Sequence, residues 1–149
     1  MLSNKTWCAI LLFAVSVLVL TRIDFLVHST LYDYGLIFSY SWAVEYWYLY
    51  AILYQLVIVP LSLWTRNLYF FFAAQAFVLS ATQDLFFFGL WCGSFPPETV
   101  NWWWMPTYRI FGFWSTSTQF VFSILVNVLV FVIAFIHFTF IIEKRNRYL

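Results

Sequence analysis

Residues 7–30, 38–64, 68–91 and 113–142 form four apolar stretches in which formal charge is nearly absent. The first holds Arg22 and Asp24, the second only Glu45, the third only Asp84, and the fourth none. A helix needs about 20 residues to cross a hydrocarbon core, so each stretch is long enough to span one. The whole chain is 64% hydrophobic and 9% charged over 149 residues. Soluble domains carry roughly 25% charge, and a chain this short has too little interior to hide so much apolar side chain. The expected fold is therefore an all-α integral membrane protein of one domain: a four-transmembrane-helix bundle.

Residues 92–112 differ from the four stretches. Gly93, Pro96, Pro97 and Pro106 argue against a spanning helix there. The run Trp102-Trp103-Trp104 argues for the membrane–water interface, where an apolar ring with a polar tip is best placed. This segment reads as an aromatic-rich interfacial loop between helices 3 and 4.

Charge asymmetry orients the bundle. Lys5, Arg66, Lys144, Arg145 and Arg147 fall at the N-terminus, the second loop and the C-terminus, which share a side when there are four spans. The other side holds Arg22 and Arg109 with Asp24, Asp33, Glu45, Asp84 and Glu98. Excess Lys and Arg mark the cytoplasmic side, so both termini are expected in the cytoplasm of a multi-pass protein. Net charge is +1, and no basic patch suggests nucleic acid. Cys8 and Cys92 fall on opposite sides and read as packed free thiols.

Five acids at one depth define the candidate site. Asp24 and His28 are spaced i, i+4 and share a helix face, a spacing at which the carboxylate sets the imidazole tautomer. Glu45 lies among aromatic rings in Trp42-Ala-Val-Glu-Tyr-Trp-Tyr. Asp84 follows Ala73, Ala76 and Ser80 at helical spacing, on a small-residue face expected to point into the bundle. A carboxyl so placed is expensive unless paired, protonated or wet, and Arg109 is its expected partner. Asp84, Glu45, His28 and Asp24 are thus the candidate acid–base groups, with Trp42, Trp47, Trp103 and Arg109 as ligand contacts. Elsewhere, Thr116, Ser123, Asn127, Ala134 and His137 share a face of helix 4, and Gln55 and Gln75 are expected to bond across helices 2 and 3.

Two function classes follow. The absence of a soluble domain or catalytic motif favours a non-enzymatic subunit packed in a larger membrane complex or a homo-oligomer. The acidic depth supports instead a small enzyme or binder of a lipid-like substrate, with Asp84 or Glu45 exchanging a proton. A metal site built from Asp24, His28, Glu45 and Asp84 would suit a hard cation better than copper or structural zinc. No metal is favoured, since no second histidine lies nearby, and no cofactor is identifiable. Ion or proton transport would need an acidic relay through the cytoplasmic half, which is missing.

Overall fold

The structure is a computed structural model that describes residues 3–33 and 40–146, with side chains described for 3–31 and 45–138. Among these residues the fold is all-helical and contains no strand. Two long helices come first, α1 (Asn4–Asp33) and α2 (Tyr40–Thr65). A tight turn follows, with Arg66 in the left-handed region at φ 51°. The Asn67 side chain then opens α3 (Leu68–Leu79) by accepting from the backbone N–H groups of Tyr69 (3.0 Å) and Phe70 (3.2 Å), as an N-cap does.

The third apolar stretch departs from the single helix expected of it. After α3 the chain breaks at Ser80 and Ala81, resumes as α4 (Thr82–Phe86), and continues as a π-helical segment, Phe87–Cys92. The two halves are bent by 62°. Ala81 is left-handed, with φ 52° and ψ 33°. The expected continuous face from Ala73 to Asp84 is therefore interrupted: Ala73 faces outward, while Ser80 is buried at the break.

Breaking a helix in an apolar setting frees carbonyls that need partners. Those partners come from α6 (Thr116–Asn146). Gln119 Nε2 donates to the Ser80 carbonyl (2.7 Å), and Ser123 Oγ donates to the same oxygen (2.9 Å). Asn127 Nδ2 donates to Ser80 Oγ (3.2 Å) and Thr82 Oγ1 (3.0 Å). Gln119 Oε1 in turn accepts from Trp114 Nε1 (2.8 Å). The Gln83 amide, oriented with its nitrogen toward α3, donates to the carbonyls of Phe77 (3.2 Å) and Val78 (3.3 Å).

Two apolar clusters hold the helices together. One joins α1, α2 and α3 through Ala9, Val17, Tyr54, Ile58, Phe70, Ala74 and Val78. The small side chains of Ala9 and Ala74 let backbones approach closely. Gln55 and Gln75 pair reciprocally through their amides across α2 and α3, with Gln55 Nε2 donating at 3.0 Å to Gln75 Oε1 and Gln75 Nε2 donating in return to Gln55 Oε1. The second cluster packs Ala81 against Trp102, Met105 and Trp114. It anchors the loop, which contains the short helix α5 (Pro106–Phe111), to the helix break. Gly93 and Gly112 end the π-helical segment and α5 in the left-handed conformation (φ 70° and 71°) that glycine accepts without strain.

The outside of the fold is apolar. Leu56 is 67% exposed and Phe131 70%, and similar side chains cover the long helices. Contiguous apolar surface on this scale is unlike that of a soluble monomer. By length and hydropathy α1, α2 and α6 are each able to cross a membrane, and the bent pair from Leu68 to Cys92 makes a fourth if counted as one span.

Candidate functional site

The bend in the third stretch opens a cavity of about 330 Å³ at the acidic end of the helices. Each wall follows from local helical spacing. From α1, Thr21, Asp24 and His28 face inward, three and four residues apart. From α2 come Tyr46, Trp47, Tyr50 and Tyr54, a stripe at the same spacing. Beyond the break, Gln83, Asp84, Phe87 and Phe88 form the third wall, and Trp103 and Trp104 cover the cavity from the loop.

Asp24 and His28 make the pair expected from their spacing: His28 Nδ1 lies 3.0 Å from Asp24 Oδ1 and 3.1 Å from its backbone carbonyl. Tyr46 Oη donates to the same carboxylate oxygen at 2.9 Å. The imidazole stands edge-on to Tyr46 (5.3 Å between ring centroids) and to Phe87 (5.6 Å). Asp24 Oδ1 is therefore shared by two neighbours, which fixes both the ring and the phenol.

Asp84 differs. Asp24 and His28 are its charged neighbours. Among the described residues its carboxylate accepts no hydrogen bond and joins no ion pair. The expected partner, Arg109, lies exposed at the last turn of α5, outside the cavity lining, and no ion pair joins it to Asp84. On α5 it is Tyr108 that packs against the cluster at the break, and Arg109, one position on, is exposed. Three buried side-chain donors are unsatisfied among the described residues, Trp47 Nε1, Tyr54 Oη and Thr107 Oγ1, and the first two belong to cavity-lining side chains. Tyr54 is fully buried, and its hydroxyl feels the charges of Asp84 and Asp24.

The roof is fixed from below and from the side. Trp102 stacks on Trp104 (5.4 Å, 24°), and Trp103 stands edge-on to Trp104 (5.8 Å, 84°). Phe88 packs against Trp102 at 5.1 Å. Trp102 Nε1 donates to Thr116 Oγ1 (3.1 Å), which donates to the Pro96 carbonyl (2.6 Å). Glu98 clamps the loop to the start of α6 by accepting from the N–H (2.9 Å) and Oγ (2.7 Å) of Ser117. The floor of the π-helical segment is tied to α1, where Trp91 Nε1 donates to Thr21 Oγ1 (3.0 Å).

The Glu98 clamp has a pH signature. Hydrogen bonds from Ser117 and Ser115 hold its carboxyl below the ordinary glutamate range. A depressed folded-state value stabilises the clamp above the unfolded pKa of about 4.3, and that contribution is lost as pH falls through the lower folded value. Protection of the amides of residues 98–118, relative to their intrinsic exchange rates at each pH, is therefore expected to fall below about pH 4. Glu98→Gln, read at neutral pH, should show the same loss of protection; unchanged protection in both would contradict the clamp.

The structure thus brings Asp24, His28, Asp84, Trp47 and Trp103 to one cavity. Glu45, the first residue of α2 whose side chain is described, is exposed and does not line the cavity, because it lies one position before Tyr46 on a helix whose inward stripe is Tyr46, Trp47, Tyr50 and Tyr54. The Trp42 side chain lies outside the described residues. Sequence reasoning missed the tyrosine stripe and Phe87–Phe88. The recurrence of Tyr46, Tyr50 and Tyr54 every fourth residue was the available signal for the first. Among the described residues no group of three or more His, Cys, Asp or Glu side chains is placed to hold a metal ion. Cys8 and Cys92 are free and exposed. Tyr69 Oη and His137 Nδ1 meet at 2.6 Å, on a part of α6 outside the cavity. No protein-family model matches the chain, and no curated protein and no solved structure matches it.

Proposed function

We propose that this is a multi-pass membrane protein of four spans, with the bent pair as the third and both termini in the cytoplasm, and that its cavity binds a lipid-like amphiphile. The observation that carries this reading is the meeting of Asp84 with the Asp24–His28 pair in a cavity whose walls are otherwise mostly aromatic. Small-molecule sites have this make-up: an apolar, largely preformed hollow with a few convergent polar groups that fix orientation. The volume suits a ligand at the small end of the usual range, and apolar helix faces around it suit arrival from lipid. The ligand's polar head would lie at the carboxylates and its apolar body against Phe87, Phe88 and Trp103. Membership in a larger complex draws support only from the exposed apolar helix faces, which lipid covers equally well.

Brominated dodecanol, whose bromine quenches nearby indoles, tests the reading in lipid nanodiscs. Quenching should contain a saturable component from Trp47, Trp103 and Trp104, diminished to the Trp47 share in Trp103→Phe/Trp104→Phe. Quenching that rises only in proportion to partitioned probe, and is unaltered in shape by the double substitution, would contradict it.

A further inference from the structure

We infer that the occupant is a protonated amphiphilic amino alcohol, its ammonium on Asp84 and its hydroxyl on the Tyr54 side of the cavity; this rests on the reading that the cavity binds an amphiphile. Charge supplies the first argument. Among the described residues the lining contains two acidic side chains, Asp24 and Asp84, and no Lys or Arg, with His28 as its one basic side chain. Asp24 already has His28 and Tyr46. Asp84 has no such hydrogen-bond or ion-pair partner among the described residues. An anionic head would meet two acidic side chains here, and a neutral head would leave Asp84 with no counter-charge beyond His28 among the described residues. A cation matches the site on both counts, and an alkylamine is protonated at neutral pH as lysine is.

The walls agree with the sign. Trp47, Phe87, Phe88 and Trp103 line the same hollow, and aromatic rings attract cations over their faces most strongly where water is excluded. The third argument concerns donors. Tyr54 is fully buried and its hydroxyl has no partner, although it lies in the field of both carboxylates; Trp47 Nε1 is likewise unsatisfied. A buried donor without an acceptor is costly, so a ligand that supplies one gains on binding. An ammonium supplies donors only. A hydroxyl beside it adds the lone pairs that Tyr54 and Trp47 lack.

The test compares four probes with one chain length on the unaltered protein in phosphatidylcholine nanodiscs, by calorimetric titration against empty nanodiscs. They are N-dodecylethanolamine, dodecylamine, dodecanol and dodecanoate. N-dodecylethanolamine should bind at least about ten-fold more tightly than dodecanol, as a charge-assisted bond implies, and measurably more tightly than dodecylamine. Dodecanoate should bind most weakly. Asp84→Asn should abolish the preference over dodecanol, and Tyr54→Phe only the preference over dodecylamine. Dodecanol or dodecanoate binding as tightly as the amino alcohol would overturn the inference while leaving the cavity reading intact. Equal affinity for amine and amino alcohol would overturn the hydroxyl assignment. If no probe binds saturably, the cavity reading itself falls. The four-probe comparison decides the matter even where a variant fails to fold.

Discussion

Gln119→Leu is expected to lower stability by about 3 kcal/mol, read as an earlier thermal unfolding transition in detergent. The reason is the number of groups that one amide serves. Gln119 is fully buried, donates to the Ser80 carbonyl and Ser123 Oγ, and accepts from Trp114 Nε1. Leucine fills a similar volume but leaves the indole N–H without an acceptor and removes one of the two donors on the Ser80 carbonyl. An orphaned buried polar group costs about 1–3 kcal/mol; the indole N–H is orphaned here, and the Ser80 carbonyl and Ser123 Oγ each lose one partner besides. Because the same bonds hold the break open, the variant should also lose saturable binding of dodecanol. Ser123→Ala, which leaves Gln119 on the Ser80 carbonyl, should lose less than half as much stability. Equal effects of the two substitutions would mean that the break does not depend on the Gln119 amide.

The second large effect has the opposite sign. Asp84→Asn should raise stability by about 1–3 kcal/mol while abolishing the preference for a cationic ligand, because an acid that accepts no hydrogen bond among the described residues and lies beside Asp24 destabilises the empty protein. Asparagine keeps the shape and cannot ionise beside Asp24. A higher unfolding temperature together with loss of amine selectivity is the expected pair of results. Asp24→Asn makes the contrast: its carboxylate holds His28 and Tyr46, so the same chemical change should lower stability. If Asp84→Asn were destabilising to the same degree as Asp24→Asn, Asp84 would be a structural acid and not a group kept for a ligand.

These two residues also mark what can be read from the sequence. Helical content followed from charge-free length, and the Asp24–His28 contact followed from i, i+4 spacing. Gln55 and Gln75 were recognisable as cross-helix partners because isolated amides in apolar helices seek each other. The break was not legible: Leu79-Ser80-Ala81-Thr82 contains neither glycine nor proline. Its cause lies in α6, about forty residues away, where Gln119, Ser123 and Asn127 recur every fourth residue. Three strong hydrogen-bonding side chains in one stripe exceed what plain helix packing uses, and that excess was the only sign. The π-helical turn that brings Phe87 and Phe88 to the cavity has no local signature. Glu45 and Arg109 looked equivalent to the other candidates by depth, but depth says nothing of direction, and both side chains are exposed.

Asp84 lines the cavity proposed to bind an amphiphile. Dicyclohexylcarbodiimide, an apolar reagent that modifies protonated carboxyl groups reached through lipid, tests this directly. Labelling in nanodiscs, located by peptide mass spectrometry, should fall on Asp84 in preference to Glu98, which lies on the exposed loop. N-dodecylethanolamine at saturating concentration should suppress it. Absence of label at Asp84, or labelling that the amphiphile leaves undiminished, would contradict the account.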